Sequence, residues 1–346
     1  MSRTYFILCL LGLACVACQP KGTSSIADNS ASFSIDIQGD STTITIYSPW
    51  QKGKVMQQLT IGNGLLAERV VCTSATHMGF IHELGMMDKV VGVCRPERVY
   101  NLREEDRERI TDIGDDMQPS MEKILLLNPD LVILYTYAQG DPIPAQVKAL
   151  GIPILYCNEW TETTPLARAE WIRLFGAIFG CSTKADSIFA SVRDAYEQLK
   201  VDSLKFKGKS LMSGMSWRGT WYVPAGGTFM GNLFRDAGAQ YKYEDNPSTS
   251  SIPLTMEQAI QDFSQADVWV GCEANSLKEL EAIDKKHTWF TAFQTGQVYN
   301  FRRRALPSGA NDFWETGTVH PERILQDLQH ILEGDTTQLH YAEKLK

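Results

Sequence analysis

The segment that decides the organisation of the chain is STKADSIFASVRDAYEQLKVDSL, residues 182–204. Its apolar side chains recur at helical spacing on one face, at Ala185, Ile188, Phe189, Val192, Tyr196 and Leu199. No Gly or Pro interrupts the segment, and Ser182 is placed to cap its first turn. At ~1.5 Å per residue, the pattern predicts one rigid helix of roughly 30 Å, about the width of a small domain.

Two similar segments flank this helix. Ser120-Met-Glu-Lys-Ile-Leu precedes an apolar run that starts at Asp130, and Thr255-Met-Glu-Gln-Ala-Ile precedes one that starts at Asp267. Each pair is typical of a capped helix followed by a buried strand. The repeat predicts two related lobes joined by the long helix, and a length of 346 residues agrees with two domains.

Short, continuously apolar runs recur in both halves of the chain, separated by helical stretches. In the first half they begin at Val70, Val90, Leu131 and Ile152. In the second half they begin at Ser210, Trp221, Ala266 and Gln297. Such runs are typical of parallel strands buried on both faces. The predicted fold class is therefore α/β, with two lobes built on mostly parallel sheets and a ligand cleft between them.

The changes of pattern also predict the domain boundaries. In chain order they are an export signal (1–18), a flexible polar tether (19–32), an N-terminal β appendage (33–65), the first lobe (66–181), the linking helix (182–204), the second lobe (205–334) and a C-terminal tail (335–346). The appendage is predicted from three stretches that alternate apolar and polar residues, as antiparallel strands do.

The first 18 residues have the features of an export signal. Arg3 precedes an apolar core that is too short to span a membrane. Small residues directly before Cys18 are similar to a bacterial lipoprotein signal, which predicts acylation of Cys18 and a membrane contact through the lipid alone. Cys15 is the rival acceptor, and a plain secretory signal is the alternative. Five further cysteines lack zinc or disulfide spacing, so buried thiols are expected, although export would allow a pair to oxidise.

A net charge of −8 gives the chain no general attraction for polyanions, so no nucleic acid partner is expected. One basic run, at residues 302–304, follows a predicted strand on the cleft side. It is either a solvated charge run or a contact for an anionic ligand.

Ligands of open parallel sheets collect at the carboxyl ends of the strands, so the loops that follow the strands contain the predicted binding residues. In the first lobe these are Ser74, His77, Arg95, Tyr100, Tyr135, Tyr137 and Trp160. In the second lobe they are Trp217, Trp221, Arg302, Arg303 and Trp314. Aromatic and Arg side chains suit a large, flat or anionic ligand. For His77, the alternative is a polar residue that merely starts a helix.

The order of several short motifs is recognisable. They are Arg69-Val-Val-Cys-Thr-Ser, Val90-Val-Gly-Val, Asp112-Ile-Gly, Asn128-Pro-Asp-Leu-Val-Ile, Glu170-Trp-Ile-Arg and Asn311-Asp-Phe-Trp-Glu-Thr-Gly. Their sum resembles the periplasmic binding proteins of metal-chelate ABC importers over roughly residues 69–332. The resemblance implies a non-enzymatic protein without a cofactor, lipid-anchored on the periplasmic side of the cell envelope. Its implied ligand is siderophore-bound iron, haem or cobalamin, clamped between lobes that move little.

The resemblance also implies partners, namely an ABC permease dimer with its ATPase. In the family, one surface carboxylate on each lobe docks on the permease, and Glu122 and Glu257 stand at the matching positions. The alternative is that both residues only complement the dipole of the helix they open.

Other chemistry finds less support in the sequence. Ser120 and Lys123 match the S-x-x-K of penicillin-binding enzymes, but no S-D-N or K-T-G partner follows. The glycines of residues 226–231 lack both the dinucleotide spacing and the Lys-Ser/Thr of a P-loop. A bare zinc or manganese ion needs about four converging ligands, and His77 alone among the histidines is well placed, so no direct metal site is expected. The alternatives kept are an exported enzyme on this frame and a binding protein for bare zinc or manganese.

Overall fold

The computed structural model of the protein describes residues 24–39, 41–62, 67–201 and 208–346. The predicted signal, with Cys15 and Cys18, and the first part of the predicted tether lie outside these residues. The second part of the tether is not a free linker. The buried carboxylate of Glu170 accepts hydrogen bonds of 2.8–3.0 Å from the backbone N–H groups of Asp28, Asn29 and Ser30.

The N-terminal sheet is part of the first lobe rather than an appendage. Its antiparallel strands are β1 (Ser24–Ile26), β2 (Phe33–Gln38), β3 (Ser41–Tyr47) and β4 (Val55–Ile61). The alternation of apolar and polar residues places Phe33 on the buried face, where its ring lies 4.9 Å from that of Trp171. The Gln57 side chain also bonds the backbone of Ile154 and Tyr156, at 2.6 and 3.1 Å. A small sheet with one apolar face is stable only when that face packs against other structure, and here the first lobe provides it.

The first lobe has a five-stranded parallel sheet in the order β11-β10-β5-β6-β7. Its strands are β5 (Val70–Cys72), β6 (Val90–Val93), β7 (Thr111–Asp112), β10 (Leu131–Leu134) and β11 (Ile154–Tyr156), and a separate hairpin contains β8 (Gly114–Asp115) and β9 (Gln118–Pro119). Its helices are α1 (Ala75–Leu84), α2 (Glu104–Arg109), α3 (Met121–Leu127), α4 (Ile143–Ala149), α5 (Pro165–Ala169) and α6 (Ile172–Ile178).

The linking helix α7 (Ser182–Leu199) ends earlier than predicted. The backbone N–H of Val201 bonds the Asp236 carbonyl at 2.9 Å, so the chain has left the helix axis there, and residues 202–207 are outside the described part. Ser182 is not the cap, because the helix already includes it and Cys181 holds the cap position without a side-chain bond. The helix packs on α6 of the first lobe, and the hydroxyl of its Tyr196 donates to Asp236 at 2.7 Å.

The second lobe has a five-stranded sheet in the order β15-β12-β17-β18-β19 and a three-stranded antiparallel sheet in the order β13-β14-β16. Its strands are β12 (Ser210–Ser213), β13 (Met215–Trp217), β14 (Thr220–Pro224), β15 (Gln240–Tyr241), β16 (Ser251–Leu254), β17 (Val268–Val270), β18 (Val298–Asn300) and β19 (Glu343–Lys344). Its helices are α8 (Phe229–Asp236), α9 (Met256–Phe263), α10 (Leu277–Ile283), α11 (Thr291–Gln294), α12 (Thr316–Val319) and α13 (Pro321–Glu333).

The two lobes share one topology, which confirms the two-lobe prediction. The parallel order β6-β5-β10-β11 of the first lobe matches β15-β12-β17-β18 of the second, and α3 and α9 lead into the equivalent strands β10 and β17. Two details differ from the sequence prediction. The strand around Trp221 belongs to the antiparallel side sheet. The predicted C-terminal tail adds β19 to the main sheet, while the Asp327 carboxylate accepts backbone N–H bonds from residues 340–342.

The lobes pack closely against each other at α1 and α12. A Cβ atom placed on Gly79 of α1 would lie 2.4 Å from the Glu315 carbonyl oxygen, so this contact admits no side chain. The described cysteines are free thiols, and Cys72, Cys94, Cys157 and Cys272 are buried, as predicted.

Candidate ligand-binding cleft

Two adjoining cavities lie where the lobes face each other. The first, of about 490 Å³, is lined from the first lobe by Trp50 and Trp160 and from the second by Phe229. The second cavity, of about 450 Å³, lies mainly in the second lobe. Because both cavities include Pro224, Met230, Ser251 and Trp314 in their walls, they form one continuous cleft.

Three indole rings surround this cleft. Trp50 lies in the turn between β3 and β4, and its ring centroid is 6.2 Å from that of Trp160. Trp160 lies in a 3₁₀ turn after β11 and is 42% exposed, and Trp314 lies in another 3₁₀ turn and is 53% exposed. Large apolar side chains left open to solvent on both walls of a cavity are typical of a binding site for a flat or apolar ligand.

Three arginines line the cleft: Arg302 and Arg168 have partners within the protein, and Arg98 is exposed. Arg302 in the second cavity donates from Nε to Asn275 at 3.1 Å, with Glu273 at 3.8 Å. Arg168 in the first cavity donates to the Trp160 carbonyl at 2.9 Å, and its guanidinium lies 4.1 Å from the ring centre of Phe229. The site therefore combines aromatic walls with a modest positive charge.

A polar cluster beside the cleft joins the lobes. The buried carboxylate of Glu315 accepts hydrogen bonds from the backbone N–H groups of Tyr100 at 2.5 Å and Asn101 at 3.1 Å. Asp312 accepts from the Asn101 amide at 2.7 Å and from Arg304 Nε at 2.6 Å. Burial raises the pKa of Glu315 to about 7, although these N–H donors oppose the shift. The cluster fixes the distance between the lobes.

Among the residues predicted to bind ligand, Trp160, Arg302 and Trp314 line the cavities. Tyr137 and Trp217 are exposed, at 43% and 60%, outside the walls of these two cavities. Arg303 is exposed and its backbone N–H bonds the Tyr341 carbonyl. For these last three residues, ligand contact stays a prediction.

Four other predicted residues have partners within the protein. Ser74 Oγ caps α1 by accepting from the Thr76 N–H. Arg95 forms an ion pair with Asp115, and the Tyr135 hydroxyl donates to Asp116 at 2.9 Å. Burial and the Asp116 carboxylate hold the pKa of Tyr135 well above its usual value. Tyr100 belongs to the interlobe cluster, with Arg304 over its ring at 5.3 Å.

Two predicted contacts, Trp221 and His77, are wrong, because both side chains are fully buried. Trp221 lies among Trp269 and Phe290, and its Nε1 donates to the Ser213 carbonyl at 3.0 Å. Successive residues of a strand point to opposite faces, so the next residue of β14, Tyr222, is the one that is exposed and lines the second cavity.

His77 points into the first lobe. Its Nε2 lies 3.2 Å from the carbonyl oxygen of Cys157 and 3.4 Å from the carboxylate of Glu159. The side chain is inaccessible to a ligand in the cleft because the first turn of α1 presents it to the end of β11 rather than to solvent.

Sequence reasoning missed Trp50, Tyr222 and Met230. Trp50 falls within the predicted N-terminal appendage, although Ser48-Pro49-Trp50 places an indole in a turn, where it is usually available for binding. Nothing local in the sequence shows that this turn meets a loop more than a hundred residues away.

The two carboxylates predicted to dock on a permease are exposed in the first turns of α3 and α9. Ser120 and Thr255 cap these helices through their side chains, as predicted. Glu257 pairs with Lys286 at 3.4 Å, so it is not an isolated charge. Their docking role stays a prediction.

Comparison with known proteins identifies the family. The chain is 24% identical over 299 residues to an uncharacterised lipoprotein of Methanocaldococcus jannaschii, covering 83% of this chain and 70% of that one. It is 25% identical over 241 residues to an uncharacterised ABC transporter substrate-binding lipoprotein of Bacillus subtilis, covering 67% and 72%.

Solved structures share the fold at lower identity. A periplasmic heme binding protein from Pseudomonas aeruginosa aligns with a TM-score of 0.62 at 14% identity, covering 81% of this chain and 99% of that chain. A periplasmic vitamin B12 binding protein of Vibrio cholerae aligns with a TM-score of 0.55 at 18% identity, covering 79% and 99%.

Within the part of the chain that the structure describes, no helix has the length and apolar character needed to cross a bilayer. The family model described as periplasmic binding protein matches residues 70–305, which include the linking helix and most of both lobes. The chain belongs to the periplasmic binding protein family.

Proposed function

We propose that this protein is the substrate-binding lipoprotein of an ABC importer. It captures a metal chelate in the cell envelope and delivers it to a permease dimer driven by an ATPase. The chelate is an iron complex, a siderophore or haem, or a corrinoid such as cobalamin. Acylated Cys18 anchors the protein to the membrane on its periplasmic side.

The observation that carries this proposal is the set of indoles that both lobes present to one cleft. Trp50 and Trp160 on one wall and Trp314 on the other can stack on a macrocycle or on catecholate rings. Arg302 adds a cation for a carboxylate or phosphate of the ligand. The combined volume of the two cavities is large for an ion or an amino acid and suits a molecule of chelate size.

The experiment is a titration of the protein with cobalamin, haem and ferric siderophores. We expect one of them to quench tryptophan fluorescence and shift its own absorption at a ratio of one ligand per protein, without chemical change of the ligand. Binding of none of these chelates contradicts the proposal. Steady turnover of the bound molecule would instead identify an exported enzyme on the same frame.

A further inference from the structure

A cluster of three metal-ligating side chains lies behind one wall of the cleft. His77 follows β5 in the first turn of α1, and Cys157 and Glu159 directly follow β11. All three are buried, and their ligand atoms lie within 4.8 Å of one another. The next residue along the chain, Trp160, lines the first cavity, so the cluster and that wall of the cleft belong to the same segment.

The distances within this cluster fit a tetrahedral metal site. Glu159 Oε2 lies 3.4 Å from His77 Nε2 and 3.4 Å from Cys157 Sγ. Around a zinc ion with bonds of about 2.0–2.3 Å, neighbouring ligand atoms lie roughly 3.3–3.7 Å apart. Two of the three separations therefore need no movement, and the third, between His77 and Cys157, is at most 4.8 Å.

One ring nitrogen of the buried His77 has no hydrogen-bond partner among the described residues. A buried histidine with a purely structural role usually satisfies both ring nitrogens. His77 Nε2 faces the cluster, whereas Nδ1 is buried and has no partner among the described residues. The Oγ1 atom of Thr73, just upstream on the same segment, is a second buried atom without a partner. Hydrogen bonding therefore involves Nε2 alone, while the ring packs against Phe175 with 6.2 Å between the ring centroids.

The charges also balance around a divalent cation. Cysteine binds a metal ion as the thiolate, so the ion displaces the proton of the Cys157 thiol when it binds. A Cys157 thiolate and a Glu159 carboxylate then neutralise two positive charges. The charge of Arg168 nearby is attracted to Glu162 as well as to Glu159, so it does not leave the site with an excess positive charge.

We propose that His77, Cys157 and Glu159 bind a resident divalent transition-metal ion, with Zn²⁺ the best match. One sulfur, one nitrogen and one oxygen ligand favour zinc over the hard cations Mg²⁺ and Ca²⁺, which prefer oxygen alone. The ion is separate from the chelate in the cleft. Its burial makes it a fixed part of the first lobe.

Co²⁺ is the probe, because Zn²⁺ has no visible spectrum. Since the ligand atoms are buried, the full protein is reduced and refolded with increasing Co²⁺. We expect one equivalent to bind, with the visible bands of tetrahedral cobalt and a near-ultraviolet thiolate charge-transfer band, and Zn²⁺ to abolish both. Absence of equimolar binding by the wild type overturns the proposal.

Variants identify the ligands. Cys157→Ser should lose the charge-transfer band, and His77→Gln and Glu159→Gln should each weaken Co²⁺ binding by at least ~100-fold, which exceeds the usual effect of outer-sphere partners. Cys94→Ser is the matched control, a buried thiol directly after strand β6 of the same sheet, and should keep the band. Circular dichroism checks that each variant is folded. A band that survives in folded Cys157→Ser, or that disappears in Cys94→Ser, contradicts the assignment.

Measuring Co²⁺ binding in the presence of a chelate tests whether the metal site is separate from the cleft. Saturating cobalamin or haem should leave the Co²⁺ stoichiometry at one. Competition between either chelate and Co²⁺ would place the ion in the cleft and overturn the proposal. Failure of every chelate to bind, with Co²⁺ still bound, would contradict the proposed transport function and leave the metal site intact.

Discussion

At the scale of single residues, the cleft depends on indole rings and on one buried carboxylate. Trp160 and Trp314 stand on opposite walls, and each exposes about half of its side chain. Glu315, next to Trp314 in the chain, is instead buried in the contact between the lobes. Neighbouring residues of one short segment therefore lie in the cleft wall and in the contact between the lobes.

Trp160→Ala and Trp314→Ala should each weaken binding of the cognate chelate. Loss of an aromatic anchor at a binding site costs ~1–3 kcal/mol, because stacking and burial are lost together. Trp289→Ala is the control, since Trp289 is 56% exposed but lies outside the walls of both cavities. Calorimetric titration measures the affinities. If all three variants bind the chelate as tightly as the parent, the binding site does not include Trp160 or Trp314.

Glu315→Gln should change how stability depends on pH. The pKa of Glu315 is raised from 4.5 to about 7, so between these values the folded protein binds more protons than the unfolded chain. The free energy of unfolding should then fall as pH rises through this window, by on the order of 3 kcal/mol for this one group, and level off above it. Glu315→Gln should lose this decline.

Urea titrations of both proteins at pH values from about 5 to about 8 give the comparison. Other ionisable groups, such as His320 between Glu83 and Glu322, are present in both proteins and cancel in the difference. Parallel pH profiles would show that Glu315 titrates normally.

At the scale of secondary-structure elements, the contact of α1 with α12 sets how closely the lobes approach. In the interior of a helix, Gly→Ala usually stabilises by up to ~1 kcal/mol. At position 79 the added methyl would meet backbone of the other lobe at 2.4 Å, and overpacking of this kind costs ~1–3 kcal/mol.

We therefore expect Gly79→Ala to lower the urea midpoint, with a loss of ~1–3 kcal/mol. Gly62→Ala is the control, because a Cβ atom there meets no atom within 4 Å and the backbone needs no positive φ. A Gly79→Ala protein as stable as the parent would mean that the two elements separate easily.

The linking helix α7 should stay intact when ligand binds. A continuous helix offers no loop residue to absorb a large rotation, and Tyr196 ties its end to the second lobe through Asp236. Small-angle scattering with and without the cognate chelate should give radii of gyration that agree within error. Compaction by many ångströms on binding would show that a hinge exists.

The elements that sequence predicted well are those with local signals. The caps Ser120 and Thr255 and the apolar runs of β10 and β17 are all set by neighbouring residues, and the structure has them as predicted. Apart from the Ser182 cap, a local prediction that was also wrong, the failures depended on contacts distant in sequence. The docking of Asp28 on Glu170 joins residues 142 apart, and the pairing of β19 with β18 makes a strand of a polar tail.

The candidate site was predictable only in part for the same reason. Trp160 and Trp314 follow buried strands and could be located from the topology of an α/β sheet. Whether Trp221 or Tyr222 faces the cleft depends on which face of the sheet the odd-numbered residues of β14 occupy. A register shift of one residue exchanges the two faces, and the sequence does not determine the register. Trp50 lies in a turn of the N-terminal sheet, and the sequence does not show that this sheet packs against the first lobe.

At the scale of the whole molecule, the equivalent topology of the lobes places Glu122 and Glu257 at corresponding helix starts. One carboxylate on each lobe would suit a two-fold permease. Reversing such a rim charge puts like charges together and weakens the encounter, whereas the cleft is untouched.

Glu122→Arg and Glu257→Arg should each keep the parent affinity for the chelate and lower its uptake, with the double variant lowest. Uptake into vesicles that contain the cognate permease is the measurement. Glu333→Arg, an equal charge change at an exposed site at the end of α13, should transport normally. Normal uptake by the double variant would leave both residues as partners of the helix dipole alone.

The anchoring of β1 to the first lobe limits how far the protein can move from the membrane. With Cys18 acylated, as we propose, the chain reaches the first described strand at Ser24, and so short a connection can span at most about 20 Å even when fully extended. Glu170 holds the following residues against the lobe, so no further length can be released without breaking those bonds. The protein then searches for a permease by diffusing in two dimensions along the bilayer. Lengthening the connection between Cys18 and Ser24 with Gly-Ser residues would test how much delivery to the permease depends on its short length.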